Sequence, residues 1–458
     1  MDATKPSVLV AFRAENVRSF RDELELSLVA TSLSASEPWA RRSVQWREGG
    51  RPIDVLPAAG IFGANASGKS NVLRAMADMR GFVLNSFRRG RPTGGLPRRP
   101  FLLGDDSAMY PTRFEIDIVL CGVRHEYGFE YDSEQVLEEW AVRYPKGRAV
   151  SLFRRTGNVV EFGSSERAKS RAVRELLRPN ALFLSTAASA NHPDLLPLYA
   201  WFERNLLLVE AQSRDSRQAL TTAMLDEPDQ RERVLEFLRA ADLGITGAAR
   251  RELDPEIKAR VERAFQILWE GEGDDANGAP SMELDAVGVH LTHHGSAGDI
   301  EFHPQDESLG TLVWFGLVGP VIQALRDGAV FLADELDSSL HPALVAEIVS
   351  LFQSPGTNPR RAQLIFNSHD TTILGTSAGT GATQTTSGRL LGRDQIWFTE
   401  KSNDGASRLY PLTELDPRKG EAIEQRYLSG RYGATPIISR PQFQAAAELV
   451  TSGQSEAE

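Results

Sequence analysis

The octapeptide GANASGKS, residues 63–70, decides how the rest of the sequence is interpreted. It follows the short apolar run PAAGIF and precedes NVLRAMADMRGFVL, whose apolar residues have helical spacing. The predicted order is therefore strand, glycine-rich loop and helix. The octapeptide also fits G-x-x-x-x-G-K-[ST], in which backbone N–H groups and the positive end of the next helix surround phosphates. A glycine-rich turn without a ligand is the alternative interpretation.

This pattern assigns a role to the residues of the loop. We expect Lys69 to reach the outer phosphates of ATP and Ser70 to bind Mg²⁺ through its hydroxyl. The residues expected to contact the nucleotide are Gly63, Ala64, Asn65, Ala66, Ser67, Gly68, Lys69, Ser70 and Asn71.

A second stretch, VFLADELDSSLHP at 330–342, places acids directly after a buried strand. Burying an unpaired carboxylate costs free energy, so the acids that follow the strand are expected to lie next to a cation. If the strand lies beside the one that enters the loop, Asp334 approaches the Mg²⁺ on Ser70. Glu335 can then polarise a water for attack on the γ-phosphate. The acids would alternatively cap the first turn of the next helix.

Two further segments carry groups that suit an anion. AQLIFNSHD at 362–370 places His369 at the end of another buried strand, where its imidazole can hydrogen-bond a γ-phosphate. A structural role is the alternative for this histidine. ESLGT at 307–311 puts Ser308 and Gly310 at the start of a helix, where an anion is stabilised.

Together these motifs resemble ABC-type ATPases of the chromosome-maintenance, RecF and overcoming-lysogenization-defect group. The sequence is more closely similar to bacterial AAA ATPases of abortive-infection and related phage-defence operons. The segments that carry the resemblance are NVRSF, GANASGKSN, ESLGT, FLADELDSSLHP, NSHD, DQIWFTEK and RYLSGRYGATP. The resemblance implies an α/β P-loop NTPase with an ABC-type head: a mixed sheet, an antiparallel β layer and an inserted helical arm.

The resemblance also implies that two copies form a homodimer around ATP. A higher oligomer is the alternative. Ser308 and Gly310 would contact the γ-phosphate bound to the other copy, Asp337 would couple the two sites, and His369 would be the switch histidine. ESLGT differs from the LSGGQ of transporters, which argues against a transporter motor. The family's glutamine loop has no clear counterpart, and Glu115 is a weak candidate for it.

The chain divides into four predicted units. Residues 1–165 form a first lobe, 166–275 a helical arm, 276–440 a second lobe and 441–458 a flexible tail. The arm is predicted from helical spacing in SRAVRELL, LLPLYAWFERNLLLVEA, RERVLEFLRAADL and EIKARVERAFQILWE. Mobile loops are predicted at 88–99, which carries five arginines, and at 376–388.

Composition limits the classes of partner and compartment. The chain has 458 residues, 41% hydrophobic and 25% charged, and lacks an apolar stretch of membrane-spanning length. We expect a cytoplasmic protein with no membrane contact, and Cys121, the only cysteine, allows no internal disulfide.

The net charge of −11 argues against a protein whose whole surface binds nucleic acid, although the arginine run could form a local contact. His290, His293, His294 and His303 do not have the spacing of a metal site.

Two functions stay open at this point. The first is an ATPase that senses a phage component, such as a phage protein, and controls a separately encoded nuclease or toxin. No Asp-x-Asp pattern follows His369, so a nuclease would be another polypeptide. The alternative is a repair or chromosome-associated ATPase that clamps DNA in its ATP state.

Overall fold

The structure is a computed structural model. It describes residues 7–33, 37–91, 93–104, 106–163, 167–209, 214–241, 243–252, 287–296, 298–375, 388–418, 420–436 and 439–452.

The strands and helices of these residues are numbered in chain order. The strands are β1 Val8–Glu15, β2 Leu24–Ser27, β3 Arg42–Val44, β4 Ile53–Val55, β5 Ala58–Gly63, β6 Thr112–Leu120, β7 Val123–Tyr131, β8 Val136–Arg143, β9 Val150–Thr156, β10 Val159–Phe162, β11 Leu206–Val209, β12 Ile245–Glu252, β13 Val287–Gly295, β14 Gly298–Phe302, β15 Val330–Ala333, β16 Gln363–Asn367, β17 Ile396–Lys401 and β18 Ser407–Pro411. The α-helices are α1 Lys69–Asn85, α2 Arg167–Glu175, α3 Phe183–Ser189, α4 Leu196–Arg204, α5 Arg214–Met224, α6 Pro228–Ala240, α7 Leu309–Asp327, α8 Pro342–Gln353, α9 Ile423–Leu428 and α10 Arg440–Ser452.

A six-stranded mixed sheet forms the centre, in the order β11-β15-β16-β5-β17-β18. The first five strands are parallel, and β18 pairs antiparallel with β17. Parallel strands covered on both faces are expected to be apolar throughout, and β5, β15 and β16 are buried at every position. The predicted strand, loop and helix at 58–85 are confirmed.

Alternate side chains of this sheet enter two separate cores. On one face, Ile61, Leu332 and Ile365 pack in a cluster that also holds α1, α3 and α4. On the other face, Phe331 and Phe366 pack in a cluster with α7 and α8. Neighbouring residues of a strand point to opposite faces, so alternate residues of these strands pack against α1, α3 and α4 on one face and against α7 and α8 on the other.

The second layer is a seven-stranded antiparallel sheet in the order β10-β9-β8-β7-β6-β1-β2. Its inner face shares the first core with α1, which confirms the predicted antiparallel layer. A fully buried ion pair connects the layer to α3. Glu139 lies 3.6 Å from Arg155 and accepts hydrogen bonds from the backbone N–H groups of Phe183 and Leu184 at 2.6 and 2.9 Å.

The region predicted as a helical arm contains strands as well as helices. The helical interpretation is wrong at 206–209, where β11 pairs with β15. The predicted arm also contains β12 at 245–252, outside the segments predicted as helices, and β12 pairs with β13. The error at 206–209 arises because four consecutive apolar residues suit the edge strand of a sheet as well as a helix, and the long-range pairing with β15 decides between the two. The four-unit division itself stays a prediction, and the predicted helix at 256–270 lies outside the described residues.

Two other predictions concern the second half of the chain. The hairpin predicted around residues 295–298 is confirmed by β13 and β14, although its first residues, 282–286, lie outside the described residues, as does the loop at 376–387. The predicted tail begins as a helix, α10, whose side chains at 441–448 are exposed.

Among the described residues, α7 is long and apolar enough to cross a membrane by length and composition. However, 67% of its apolar window is buried inside the fold, as in a core helix. It packs in the second core and carries Ser308 at its N-terminus.

Candidate functional site

The carboxyl ends of three adjacent parallel strands meet at one edge of the central sheet. β16 lies between β15 and β5, so Asn367 ends the strand between Ala333 and Gly63. Ligand sites of open α/β sheets lie at this edge. Topology therefore brings the two motifs at 63–70 and 330–342 together, as the sequence predicts.

The phosphate loop, residues 63–70, is fixed against β17 and the following hairpin. The Ser67 hydroxyl lies 2.6 Å from the Thr399 hydroxyl, and a Cβ on Gly63 would lie 2.5 Å from the Thr399 carbonyl oxygen. Gly68, at φ 110°, precedes α1, and a Cβ there would come within 2.5 Å of the Ser407 hydroxyl. Both positions therefore need glycine.

The top of the loop faces solvent. Asn65 and Ala66 are exposed, Ala64 is half-buried, and Ala66 has a left-handed φ of 61°. Asn71, in the first turn of α1, donates a 2.8 Å hydrogen bond to the Ser19 hydroxyl. This contact joins the segment NVRSF to the loop and gives that segment a position in the site.

Lys69 is folded back onto the loop. Its Nζ donates to the carbonyl oxygens of Gly63 and Ala64 at 2.9 and 3.0 Å. Burial lowers the pKa of Lys69 to about 8, an effect opposed by the carboxylates of Asp337, Glu335 and Asp334. The ammonium group therefore lies in the field of all three acids, with one proton free for a further acceptor.

Asp334 and Ser70 are connected by a residue between them. The Asn367 amide nitrogen donates to Asp334 Oδ1 at 2.6 Å and lies 3.3 Å from Ser70 Oγ. The other Asp334 oxygen lies 3.3 Å from an Arg74 nitrogen of α1. In this structure a guanidinium and an amide thus stabilise the buried carboxylate of Asp334.

Glu335, Asp337 and His369 lie beyond the strand ends. Glu335 is exposed and has a left-handed φ of 52°. The His369 N–H donates to Asp337 Oδ2 at 3.2 Å, and the other Asp337 oxygen is buried without a hydrogen-bond partner in the described part of the chain. The imidazole of His369 is exposed at the same edge. Asp337 therefore joins His369 by a hydrogen bond and, like Glu335, acts on the charge of Lys69.

The oxygen ligands here suit Mg²⁺ held jointly with a nucleotide. Ser70 offers a hydroxyl and Asp334 a carboxylate, both hard ligands, whereas no group of three or more His, Cys, Asp or Glu side chains able to hold a metal occurs within the described ranges. Two protein ligands completed by waters and phosphate oxygens are the usual arrangement for Mg²⁺.

Ser308 and Gly310 lie at the N-terminus of α7. Ser308 is exposed and caps α7, accepting a 3.1 Å hydrogen bond from the Thr311 N–H. A Cβ on Gly310 would lie 2.8 Å from the Ser339 carbonyl oxygen. Both residues line a cavity of 400 Å³ with Ser339, His341 and Leu344. No hydrogen bond of the described residues joins either to 63–71.

Other predicted or considered residues are placed as follows. Glu115 lies in β6 and pairs with Arg13 at 2.9 Å, within the β layer. His290 and His303 have ring centroids 4.2 Å apart, and His293 and His294 pair with Glu307 and Asp299 at 2.8 and 2.9 Å.

Sequence reasoning missed Asn367 as a site residue. The available signal was a polar side chain at the end of an otherwise apolar strand, the same signal that identified Asp334. Thr399 and Arg74 were missed too, because their contacts depend on which strands are neighbours.

A family model described as "AAA domain, putative AbiEii toxin, Type IV TA system" matches residues 58–375. The chain belongs to this AAA_21 family. The match covers the phosphate loop, Ser308, the acids after β15 and His369. The α/β P-loop fold predicted from the sequence is confirmed, with an AAA domain of the kind that uses ATP and Mg²⁺.

Solved structures of SMC heads are similar to this AAA_21 chain. The SMC head bound to the C-winged helix domain of ScpA has a TM-score of 0.39 and 12% identity, covering 89% of this chain and 99% of that chain. The SMC head domain from Thermotoga maritima has a TM-score of 0.36 and 12% identity, covering 88% and 98%. The Smc head with an extended coiled coil bound to the C-terminal domain of ScpA, from Pyrococcus furiosus, has 0.35 and 14%, covering 90% and 98%. A comparison with curated proteins gives no match.

Proposed function

We propose that the protein is a Mg²⁺-dependent ATPase whose two copies close around two nucleotides. The single observation that carries this proposal is the hydrogen-bonded series from Ser70 through Asn367 to Asp334, next to Lys69. It joins the loop that suits phosphates to the acid that suits the metal. Bound Mg²⁺ would neutralise charge on the phosphates.

The residues have distinct roles in this proposal. Backbone N–H groups of 63–70 bind phosphate oxygens, and Lys69 turns its free proton toward them. Glu335, which is exposed, accepts a proton from the attacking water. His369, held through its backbone by Asp337, contacts the γ-phosphate.

A cavity beside α1 offers space for the base and ribose. It has a volume of 510 Å³ and is lined by Ser19 and Asn71 near the phosphate loop. Leu102 and Leu103 border it with 74% and 66% of their surfaces exposed. An apolar border next to the loop suits the face of a purine.

The position of Ser308 supports the dimer. It is exposed at the N-terminus of a 19-residue helix, where the partial positive charge suits an anion, yet it makes no hydrogen bond to its own phosphate loop among the described residues. A second copy related by a two-fold axis would bring this turn to the partner's nucleotide.

We further propose that this ATPase is the cytoplasmic sensor of a phage-defence system. Its closure would control a separately encoded nuclease or toxin, after a phage protein is recognised. The family description, which names a toxin of a type IV toxin–antitoxin system, supports a role in such modules. A nuclease gene adjacent to this one would support the proposal, and a replication or repair cluster would contradict it.

One observation favours the alternative of a DNA clamp. The arginine segment 88–99, predicted as a mobile loop, is hydrogen-bonded to the fold: Asn180 donates to the carbonyl oxygens of Arg91 and Gly94, both at 2.8 Å. Its exposed arginines are Arg88, Arg89, Arg91 and Arg99. An ordered basic surface suits a nucleic-acid backbone. Tight ATP-dependent binding of duplex DNA by the purified protein alone would favour this function.

The substitution Glu335→Gln tests the ATPase proposal. It keeps the size of the side chain and removes the base, so turnover should fall by at least about a hundredfold while ATP still binds. The closed dimer should then accumulate. Light scattering after size exclusion should show the 50.4 kDa chain doubling in mass with ATP and Mg²⁺.

Two outcomes of this experiment would contradict the proposal. Normal turnover in the Glu335→Gln protein would show that Glu335 is not the base. If both wild type and variant stayed monomeric with ATP, the proposed dimer would be wrong. Lys69→Ala serves as the reference for lost binding, because it lacks the phosphate contact altogether.

A further inference from the structure

Asn367 makes four contacts that join both halves of the candidate site. Its amide nitrogen donates to Asp334 Oδ1 at 2.6 Å and lies within hydrogen-bond distance of Ser70 Oγ at 3.3 Å. Its amide oxygen accepts from the backbone N–H of Glu335, and its backbone oxygen accepts from Leu336 N–H at 3.2 Å. The residue is completely buried.

The contact with Glu335 controls an unusual backbone conformation. Glu335 has a φ of 52°, which costs energy for a residue with a side chain. The N–H that Asn367 accepts belongs to this residue, so the amide oxygen helps to hold the left-handed turn. Glu335 is exposed, whereas the preceding Asp334 is buried.

The contacts with Asp334 and Ser70 act on the metal ligands. Without Asn367, the Asp334 carboxylate would lose the hydrogen bond to Oδ1 and keep the ion pair with Arg74, and the Ser70 hydroxyl would lose its contact with the amide. Residues that orient the ligands of a metal commonly alter its affinity by about ten- to a hundredfold when they are removed.

We propose that Asn367 is a positioning residue that sets the geometry of the Mg²⁺ ligands and of the Glu335 base at once. The inference rests on the proposed function, since it assigns this role at the same site. Asn367 acts only through Ser70, Asp334 and Glu335. The amide nitrogen orients the two Mg²⁺ ligands, Ser70 and Asp334, and the amide oxygen orients Glu335 through its backbone N–H.

A control residue lies on the same strand. Gln363, at the other end of β16, is also buried, and its amide bonds to the backbone of Leu9 at 2.7 and 2.9 Å and to the Leu56 oxygen at 3.1 Å. Gln363 therefore has a matched structural role away from the phosphate loop. A purely structural Asn367 would behave like Gln363 when truncated.

The test measures binding of a fluorescent ATP analogue as Mg²⁺ is titrated. In Asn367→Ala, the half-saturating Mg²⁺ concentration should rise about tenfold or more, whereas binding in EDTA should stay within about threefold of wild type. Turnover should fall by about ten- to a hundredfold as well. Gln363→Ala should lower Tm without changing the Mg²⁺ dependence.

A second variant covers the case in which Asn367→Ala does not fold. Asn367→Asp has the same shape and keeps an acceptor for Glu335 N–H, but it adds a carboxylate beside Asp334. Mg²⁺ alone should therefore raise its Tm more than that of wild type, because the ion relieves the repulsion between the two acids. This readout requires neither nucleotide nor turnover.

The outcomes separate this inference from the proposed function. Unchanged Mg²⁺ dependence in both Asn367 variants would overturn the positioning role. A wild-type protein that binds ATP with Mg²⁺ but does not hydrolyse it would overturn the ATPase proposal and leave the Mg²⁺ titration valid.

Discussion

Among single residues, Lys69 shows how burial and function act on the same group. The buried ammonium group has a pKa lowered to about 8, because burial outweighs the attraction of three carboxylates. Its two hydrogen bonds go to the carbonyl oxygens of Gly63 and Ala64, in its own loop. Phosphate groups would add negative charge next to this amine and raise its pKa again.

This arrangement predicts proton uptake when nucleotide binds above pH 8. Nucleotide affinity should be constant below about pH 8 and should decrease at higher pH, because the neutral amine must first gain a proton. Calorimetry at about pH 9, in two buffers of different ionisation enthalpy, should show uptake of up to about one proton.

Lys69→Arg is the control, since a guanidinium stays protonated throughout this range. The variant should bind without proton uptake and with a flat pH dependence. Equal uptake in both proteins would assign the proton to another group. The sign for stability is the opposite of that for affinity: between about pH 8 and 10.5 the unfolded lysine binds more protons, so the free energy of unfolding of the free protein should rise with pH.

For the secondary-structure elements, sequence and structure agree where a signal is local. The phosphate loop carries its own pattern, and the runs at 330–333 and 363–367 are apolar strands followed by polar residues, so their meeting at one sheet edge could be predicted. β11 could not be, because its four apolar residues become a strand only beside β15. The roles of Asn367 and of the buried Glu139–Arg155 pair depend on neighbours far away in sequence.

The helices of the 166–275 region position Ser308. α5 packs closely on α7 at Gly319, whose N–H donates to the Thr221 hydroxyl at 3.0 Å. A Cβ on Gly319 would lie 2.9 and 3.0 Å from Thr221 backbone atoms, which cannot rotate away. Because α7 begins just after Ser308, this contact sets the position of the turn that the proposed dimer requires.

Gly319→Ala should therefore destabilise the protein by about 1–3 kcal/mol through overpacking. It should weaken the ATP-dependent dimer more than ATP binding, since α1, the helix that follows the phosphate loop, packs on the opposite face of the sheet from α7. Gly81→Ala in α1 is the matched control: no atom lies within 4 Å of the added Cβ, so stability should rise by about 0.5–1 kcal/mol. Urea unfolding and light scattering measure both effects, and equal behaviour of the two variants would contradict the close-packing argument.

For the whole molecule, the candidate site has two parts that no hydrogen bond joins within the described residues. The phosphate loop, Asp334, Glu335 and His369 form one part, and Ser308 with Gly310 forms the other, against Ser339. A two-fold dimer would pair each part with its complement and build two equivalent sites. The charge of the γ-phosphate at each site would then favour the dimer over the monomer.

Mixing two inactive variants tests this arrangement directly. Lys69→Ala removes the phosphate contact, and Ser308→Asp keeps a good helix cap while it repels the γ-phosphate. Each variant alone should be inactive. In an equal mixture about half of the dimers are mixed, and each mixed dimer has one intact site, so about a quarter of wild-type turnover should return. Mixing Lys69→Ala with Glu335→Gln should restore nothing, because both changes lie in the same part. No recovery in the first mixture, with ATP-dependent dimers present, would place the complete site within one chain.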